Sequence, residues 1–233
     1  MLKTLGTDVS KWQPSIDWTA ASSEGVRFAI CRATRGEAYV DPMFEKHVTD
    51  AAAEDVLTGS YHFFRTDGDP VKQALSYYSV AGVMGMDLPP VIDFEALHGD
   101  TAPSDAITKA LEFIETTEEL WNRGCVVYTF PAFWTALGDP EAPAFGEHPL
   151  WIAHWGVETP KLPKPWSKWL LWQFDGDGGK NLPGGVVADF NWFDGAESDL
   201  RLFCKRQMPT LPPSGPGAPA NNVQLDGGGG VAR

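Results

Sequence analysis

Along the chain, short and nearly continuous apolar runs alternate with longer stretches whose apolar residues recur at helical spacing. Thr4 to Val9 reads as a first strand, and Ile16-Asp17-Trp18 opens a short helix. Val26 to Ala33 is almost wholly apolar, as a strand buried on both faces would be. Asp41-Pro42 has the form of an N-cap with proline at the first helical position, and predicts a helix to about Glu54. Val56 to Phe64 is a third strand, and Asp69-Pro70 repeats the cap signal for a helix to about Val83. Val91 to Phe94 is a fourth strand, opened by Pro89-Pro90. Ser104 then caps a long helix to about Arg123, with Gly124 as its stop. Cys125 to Thr129 is a fifth strand, and Pro131 to Leu137 a short helix.

After this the rhythm changes. Leu150 to Ala153, Leu170 to Phe174 and Val186 to Phe190 read as strands, but the segments between them are rich in Pro and Gly. A short helix is expected around Asp194 to Cys204. Alternating strands and helices imply an α/β fold with a mainly parallel sheet and right-handed crossovers. The expected architecture is an eight-stranded barrel of five βα units followed by three strands, with an open doubly wound sheet as the alternative. No Gly-rich phosphate loop follows the first strand, which argues against dinucleotide binding. Residues 1–206 are expected to form this domain, and residues 207–233 a Pro/Gly-rich flexible tail or linker.

Composition narrows the function. The formal net charge of −13 argues against nucleic acid and against an anionic membrane surface as partners. No apolar run approaches the roughly 20 residues that span a bilayer. Met1 to Asp8 lacks the apolar core of a secretory signal, so synthesis without a signal peptide is expected. Cys31, Cys125 and Cys204 are far apart, lack metal spacing and are expected to be reduced thiols. The 10 tryptophans serve equally as core or as flat platforms for sugars.

In a barrel of βα units, chemistry collects at the C-terminal ends of the strands. There the sequence puts Asp8, Arg32, Tyr61, His62, Asp93, Glu95, Tyr128, Trp151, His154, Trp172, Gln173, Asp189 and Asn191. Asp93 and Glu95 are two residues apart and share one face of a strand. Burial and like charge push such a pair toward different protonation states, as glycosidic cleavage requires. Structural alternatives stand beside these readings. In these, Asp8 caps a turn, His62 is a satisfied barrel histidine, Arg32 neutralises the acids, and the aromatics are packing. A metal site built from His62, His154 and the acids lacks a His-x-His or His-x-x-x-His spacing, and no cofactor is expected. No Gly-x-Ser-x-Gly elbow is present.

Gly6-Thr7-Asp8-Val9-Ser10-Lys11-Trp12-Gln13 resembles the G-x-D-V-S-x-W-Q opening of family 25 glycoside hydrolases, the Chalaropsis-type lysozymes. Gly59 to Arg65, Asp93-Phe94-Glu95, Leu150 to Ala153, Trp172-Gln173-Phe174 and Asp189-Phe190-Asn191 follow in the family's order. The resemblance implies a flattened TIM-like barrel and hydrolysis of the β-1,4 bond between N-acetylmuramic acid and N-acetylglucosamine in peptidoglycan, with retention. By the same resemblance Glu95 matches the general acid/base and Asp93 the second carboxylate, which assists the substrate acetamido group or attacks directly. Asp8 and Asp189 match positioning acids, and Tyr61, Trp151 and Trp172 walls of the sugar groove; His62, Arg32, Tyr128, Gln173 and Asn191 are further expected substrate contacts. It also implies peptidoglycan as partner; the expected lack of a signal peptide fits a phage endolysin released through a holin, or a virion-associated muramidase, and a monomer is favoured. Phe190 stands where the family more often has Leu. A chitinase-like hydrolase and a wall-binding domain on an inactive barrel are the competing readings; the first lacks its longer D-x-x-D-x-D-x-E run before Asp93.

Overall fold

The structure, a computed structural model, describes residues 2–176, 181–182 and 186–205. The strands are β1 (Thr4–Val9), β2 (Val26–Arg35), β3 (Tyr39–Val40), β4 (Leu57–Phe63), β5 (Val91–Asp93) and β6 (Val126–Thr129). They continue with β7 (Leu150–Ala153), β8 (Leu171–Asp175), β9 (Asn181–Leu182), β10 (Val186–Val187) and β11 (Asp189–Phe193). The helices are α1 (Trp18–Ser23), α2 (Phe44–Ala53), α3 (Pro70–Tyr77), α4 (Pro103–Trp121), α5 (Pro131–Ala136) and α6 (Glu197–Lys205).

The main sheet runs β1-β11-β8-β7-β6-β5-β4-β2-β3, and β1 also pairs with β2. That pairing closes eight strands into a barrel and leaves β3 as a hairpin arm on β2. The five βα units end with α5; β7, β8 and β11 complete the ring, so the expected architecture holds. Every barrel pairing is parallel except those of β11, which runs against both β8 and β1. Asp189 therefore reaches the barrel mouth from the start of its strand and stands opposite Asp8. Charge and spacing carry no sign of this reversal, which the β9–β10 hairpin accompanies.

The period of two divides the strands between two cores. Phe28, Ile30, Val91, Val126, Trp151 and Leu171 fill the barrel interior. Ala29, Cys31, Ile92, Val127, Ile152 and Trp172 face the outer layer. A Cβ on Gly6 would come within 2.3 Å of the Phe28 ring, so this glycine makes room for the interior. Where the later strands lack helices, aromatic rings take over. Trp134 packs on Phe145 and Trp166 at 5.3 and 4.9 Å between centroids, and Phe174 stacks on Trp192 at 4.8 Å. Much of the tryptophan is thus core, with Trp12 and Trp155 exposed.

Some expected boundaries move for local reasons. Asp41 does not cap α2, which begins at Phe44 without a side-chain cap. Its buried carboxylate instead takes Arg32 and the Lys11 and Met43 amides. Asp69 does cap α3, accepting from the Lys72 amide at 3.0 Å. Ser104 lies inside α4, whose N-cap is Ala102, and left-handed Asn122 rather than Gly124 ends that helix. Cys31, Cys125 and Cys204 are free. The proposed tail from residue 207 lies outside the described residues. No helix among the described residues is long and apolar enough to cross a membrane.

Candidate active site

Strand β5 is three residues long, but its ladder continues through the Phe94 amide, which donates to the Tyr128 carbonyl at 3.0 Å. The alternation therefore carries past Asp93. Ile92 and Phe94 face the outer core, while Asp93 and Glu95 face the barrel mouth. Asp8 arrives from β1 and Asp189 from β11, and all four acids line one cavity of about 460 Å³. Arg32, Tyr61, Phe63 and Trp12 line it with them.

Glu95 is shared with a second cavity of about 540 Å³, lined by Phe130, Pro131, Ala153, His154, Trp155 and Lys161 among others. None of the other three acids reaches that second cavity. Glu95 thus stands at the junction of an acidic pocket and a mainly apolar one.

Each carboxylate sits in its own environment. Burial pushes Asp8 up to about 6, against hydrogen bonds from Asn191 and Gln173 that favour its charged form; Glu95 adds a like charge. Burial, then the charges of Glu95 and Asp8, hold Asp93 well above the ordinary carboxylate range, with Arg32 opposing. Burial, then Asp189, raises Glu95. Asp93 Oδ1 is buried with no hydrogen-bond partner among the described residues. Such an orphan acceptor is costly and waits for a donor.

The hydrogen bonds of the other polar groups fix their roles. Asn191 Nδ2 donates to Asp8 Oδ2 at 2.7 Å, and Asn191 Oδ1 accepts from the Trp151 indole at 2.8 Å. Gln173 Nε2 donates to Asp8 at 2.9 Å and to Asp189 at 3.2 Å. Its Oε1 accepts from Tyr128 Oη and Trp155 Nε1, both at 3.1 Å. An indole only donates and a carboxylate only accepts, so the amide orientations follow from the network. Gln173 and Asn191 are almost fully buried, so both position the acids from beneath. Arg32 pairs with Asp41 at 2.7 Å at the edge of the acidic cavity.

Besides Gln173 and Asn191, three of the expected substrate contacts lie elsewhere than the groove wall. His62 faces away from the site, fully buried, between Thr34 Oγ1 at 2.7 Å and Gln73 Oε1 at 3.1 Å, and stacks on Phe113. Neighbouring residues on a strand face opposite ways, so Tyr61 and His62 cannot both line the groove. Trp172 faces the outer core for the same reason, since Gln173 points inward. Trp151 lies beneath the site, edge-on to Tyr128 at 4.7 Å, and is a floor rather than a wall. The metal alternative loses His62 in this way, and His154 Nδ1 is occupied by the Lys161 amide at 2.9 Å. Trp12, Phe63, Phe130 and Trp155, which are not among the candidate site residues, also line the two cavities; Phe63 closes β4, Phe130 directly follows β6, and Trp12 and Trp155 lie three and two residues beyond β1 and β7.

Four inward carboxylates at the mouth of a βα barrel are the equipment of a glycoside hydrolase. The sequence model of glycosyl hydrolases family 25 matches residues 7–182. Lysozyme M1 of Streptomyces globisporus is 31% identical over 206 residues, spanning 84% of this chain and 69% of that protein. The bacterial lysozyme of Streptomyces coelicolor superposes with a TM-score of 0.78 at 31% identity, over 86% of this chain and 96% of that one. A family GH25 lysozyme from Aspergillus fumigatus gives 0.78 at 26% identity, over 87% and 99% of the two chains. The chain belongs to glycoside hydrolase family 25.

Proposed function

We propose that the chain is a lysozyme that cleaves the β-1,4 bond between N-acetylmuramic acid and N-acetylglucosamine of peptidoglycan. Its family and its lysozyme relatives support this activity. The observation that carries the assignment of roles is the inward pair Asp93 and Glu95, with Glu95 at the junction of two cavities. A general acid must stand where the scissile bond crosses from one sugar site to the next. The muramic acid then lies in the acidic cavity and the leaving glucosamine in the cavity that Glu95 alone among the acids lines.

Burial and the charge of Asp189 keep a proton on Glu95 nearer neutral pH than a free glutamic acid would. That proton goes to the glycosidic oxygen as the bond to the anomeric carbon breaks. The muramic acetamido oxygen attacks the same carbon and forms an oxazolinium. Asp93 Oδ1, which lacks a donor, accepts the acetamido N–H and is stabilised as a carboxylate. Water then attacks from the side the leaving group vacated, giving up its proton to Glu95, and configuration is retained. Asp8 and Asp189 act by position and charge, held by Gln173 and Asn191.

Turnover of strands whose muramic acid has been de-N-acetylated tests this route. The reading expects activity on them to fall by roughly 10²-fold or more, because the internal nucleophile is gone. Full activity would transfer the nucleophile's role to Asp93 itself. For delivery we keep the endolysin reading: cells making the chain should lyse only when the membrane is permeabilised, as a holin would do. Lysis without permeabilisation would contradict it.

A further inference from the structure

Beyond Arg32, the wall of the acidic cavity leads to a second feature of opposite sign. Lys11 Nζ, the Arg32 guanidinium and the Arg35 guanidinium lie 5.5, 5.8 and 5.1 Å from the centre of one ring, Tyr39. Lys11 also lies 4.8 Å from the ring of Trp12, which lines the cavity. Strand β2 and the β3 arm bring these groups together, with Arg35 paired in register to both Tyr39 and Phe63.

The charges do not balance. The nearest carboxylate, Asp41, is buried and already bound to Arg32 and to the Lys11 amide. Glu37 of the same arm turns away, to the Asp69 amide at 2.9 Å and Lys72 at 3.9 Å. Among the described residues Lys11 and Arg35 make no ion pair, and Arg35 is exposed. Tyr39 Oη is buried with no hydrogen-bond partner among them. In a chain of formal net charge −13, Lys11 and Arg35 beside one ring, with Arg32 already paired, leave two cations without a partner anion.

We propose that Lys11, Arg35 and Tyr39 form a subsite for a carboxylate of the peptide stem that muramic acid carries. The proposal rests on the peptidoglycan reading above and adds that the enzyme reads the stem as well as the sugars. Muramic acid bears the stem through its lactyl ether, and free carboxyl groups along the stem are anions that the substrate offers beyond its sugars. Lys11 and Arg35 supply the charge, and the Tyr39 ring between them holds the two cations in place. Arg32, already spent on Asp41, holds the pocket edge.

The test uses purified peptidoglycan free of teichoic acid, and the same strands with stems removed by an amidase and the lactyl carboxylates this exposes converted to amides. The wild type should show a KM roughly tenfold lower on stem-bearing strands, as one or two charge-assisted hydrogen bonds allow, and added salt should shrink that preference. Lys11→Ala with Arg35→Ala should bring the ratio close to one, and Arg35→Lys should keep most of it. An unchanged ratio in the double variant, or no preference in the wild type, would overturn the subsite. If the wild type cuts stem-free strands while showing no preference, the muramidase reading survives this failure. If it cuts neither substrate, that reading falls and the subsite with it.

Discussion

Replacing Asp8 by asparagine should remove part of the pH dependence of folding stability. The Asp8 carboxyl rises from 3.8 to about 6 in the folded state because burial disfavours its charge. Below 3.8 it is protonated whether the chain is folded or not, and burial then carries no ionisation penalty. Between 3.8 and about 6 the unfolded chain ionises first, so stability falls as pH rises. Above that window the loss is complete and constant. A difference of about 2.2 pH units corresponds to about 3 kcal/mol, of which about 2 kcal/mol develops between roughly pH 4.5 and 7.5. Urea unfolding of wild type and Asp8→Asn across that interval gives the readout as a difference of slopes. Lost hydrogen bonds to Gln173 and Asn191 shift the variant by a constant, while loss of the Asp8 charge also relieves Asp93 and changes the slope in the same direction. His62 works in the opposite direction, since burial lowers it to about 4 and favours the folded state at higher pH. The wild-type curve alone is therefore not the test. Parallel curves for the two proteins would refute the claim that Asp8 pays an ionisation penalty in the fold. Activity should move the other way from stability, because Asp8 serves the site by its charge.

Other substitutions separate site from scaffold. His62→Ala should lower stability by about 2–4 kcal/mol through lost stacking and hydrogen bonds, with kcat unchanged; a large loss of kcat at intact fold would return His62 to the site. Gly6→Ala should cost about 1–3 kcal/mol in urea unfolding, because its Cβ would overlap the Phe28 ring; a neutral result would mean the barrel yields there. Trp12→Ala should leave the melting temperature in place, since Trp12 is 73% exposed, and raise KM on glycan strands by roughly tenfold. An unchanged KM would remove Trp12 from the groove.

The barrel was legible because buried strands and amphipathic helices carry different periods, and the change of rhythm after Leu137 marks where helices give way to aromatic packing. The inward face of Asp93 and Glu95 followed from alternation alone. The same rule, applied to Tyr61-His62 and Trp172-Gln173, would have separated one residue of each pair from the site. Tertiary context hid other features. Asp41 has the form of a cap, yet the positive charge of Arg32 draws it into the core. The reversal of β11 depends on a hairpin whose strands are two residues each, too short to leave a periodic trace. The cationic ring around Tyr39 joins Lys11 to Arg35 through space, and no spacing along the chain announces it.

The most direct test of the account is mass spectrometry of purified peptidoglycan digested by the wild type and by Glu95→Gln, with folding of the variant confirmed by its unfolding curve. The account predicts fragments ending in reducing N-acetylmuramic acid from the wild type, and a loss of roughly 10²–10⁴-fold in their rate of formation for the variant. Fragments ending in reducing N-acetylglucosamine, or an equal rate from Glu95→Gln, would contradict it.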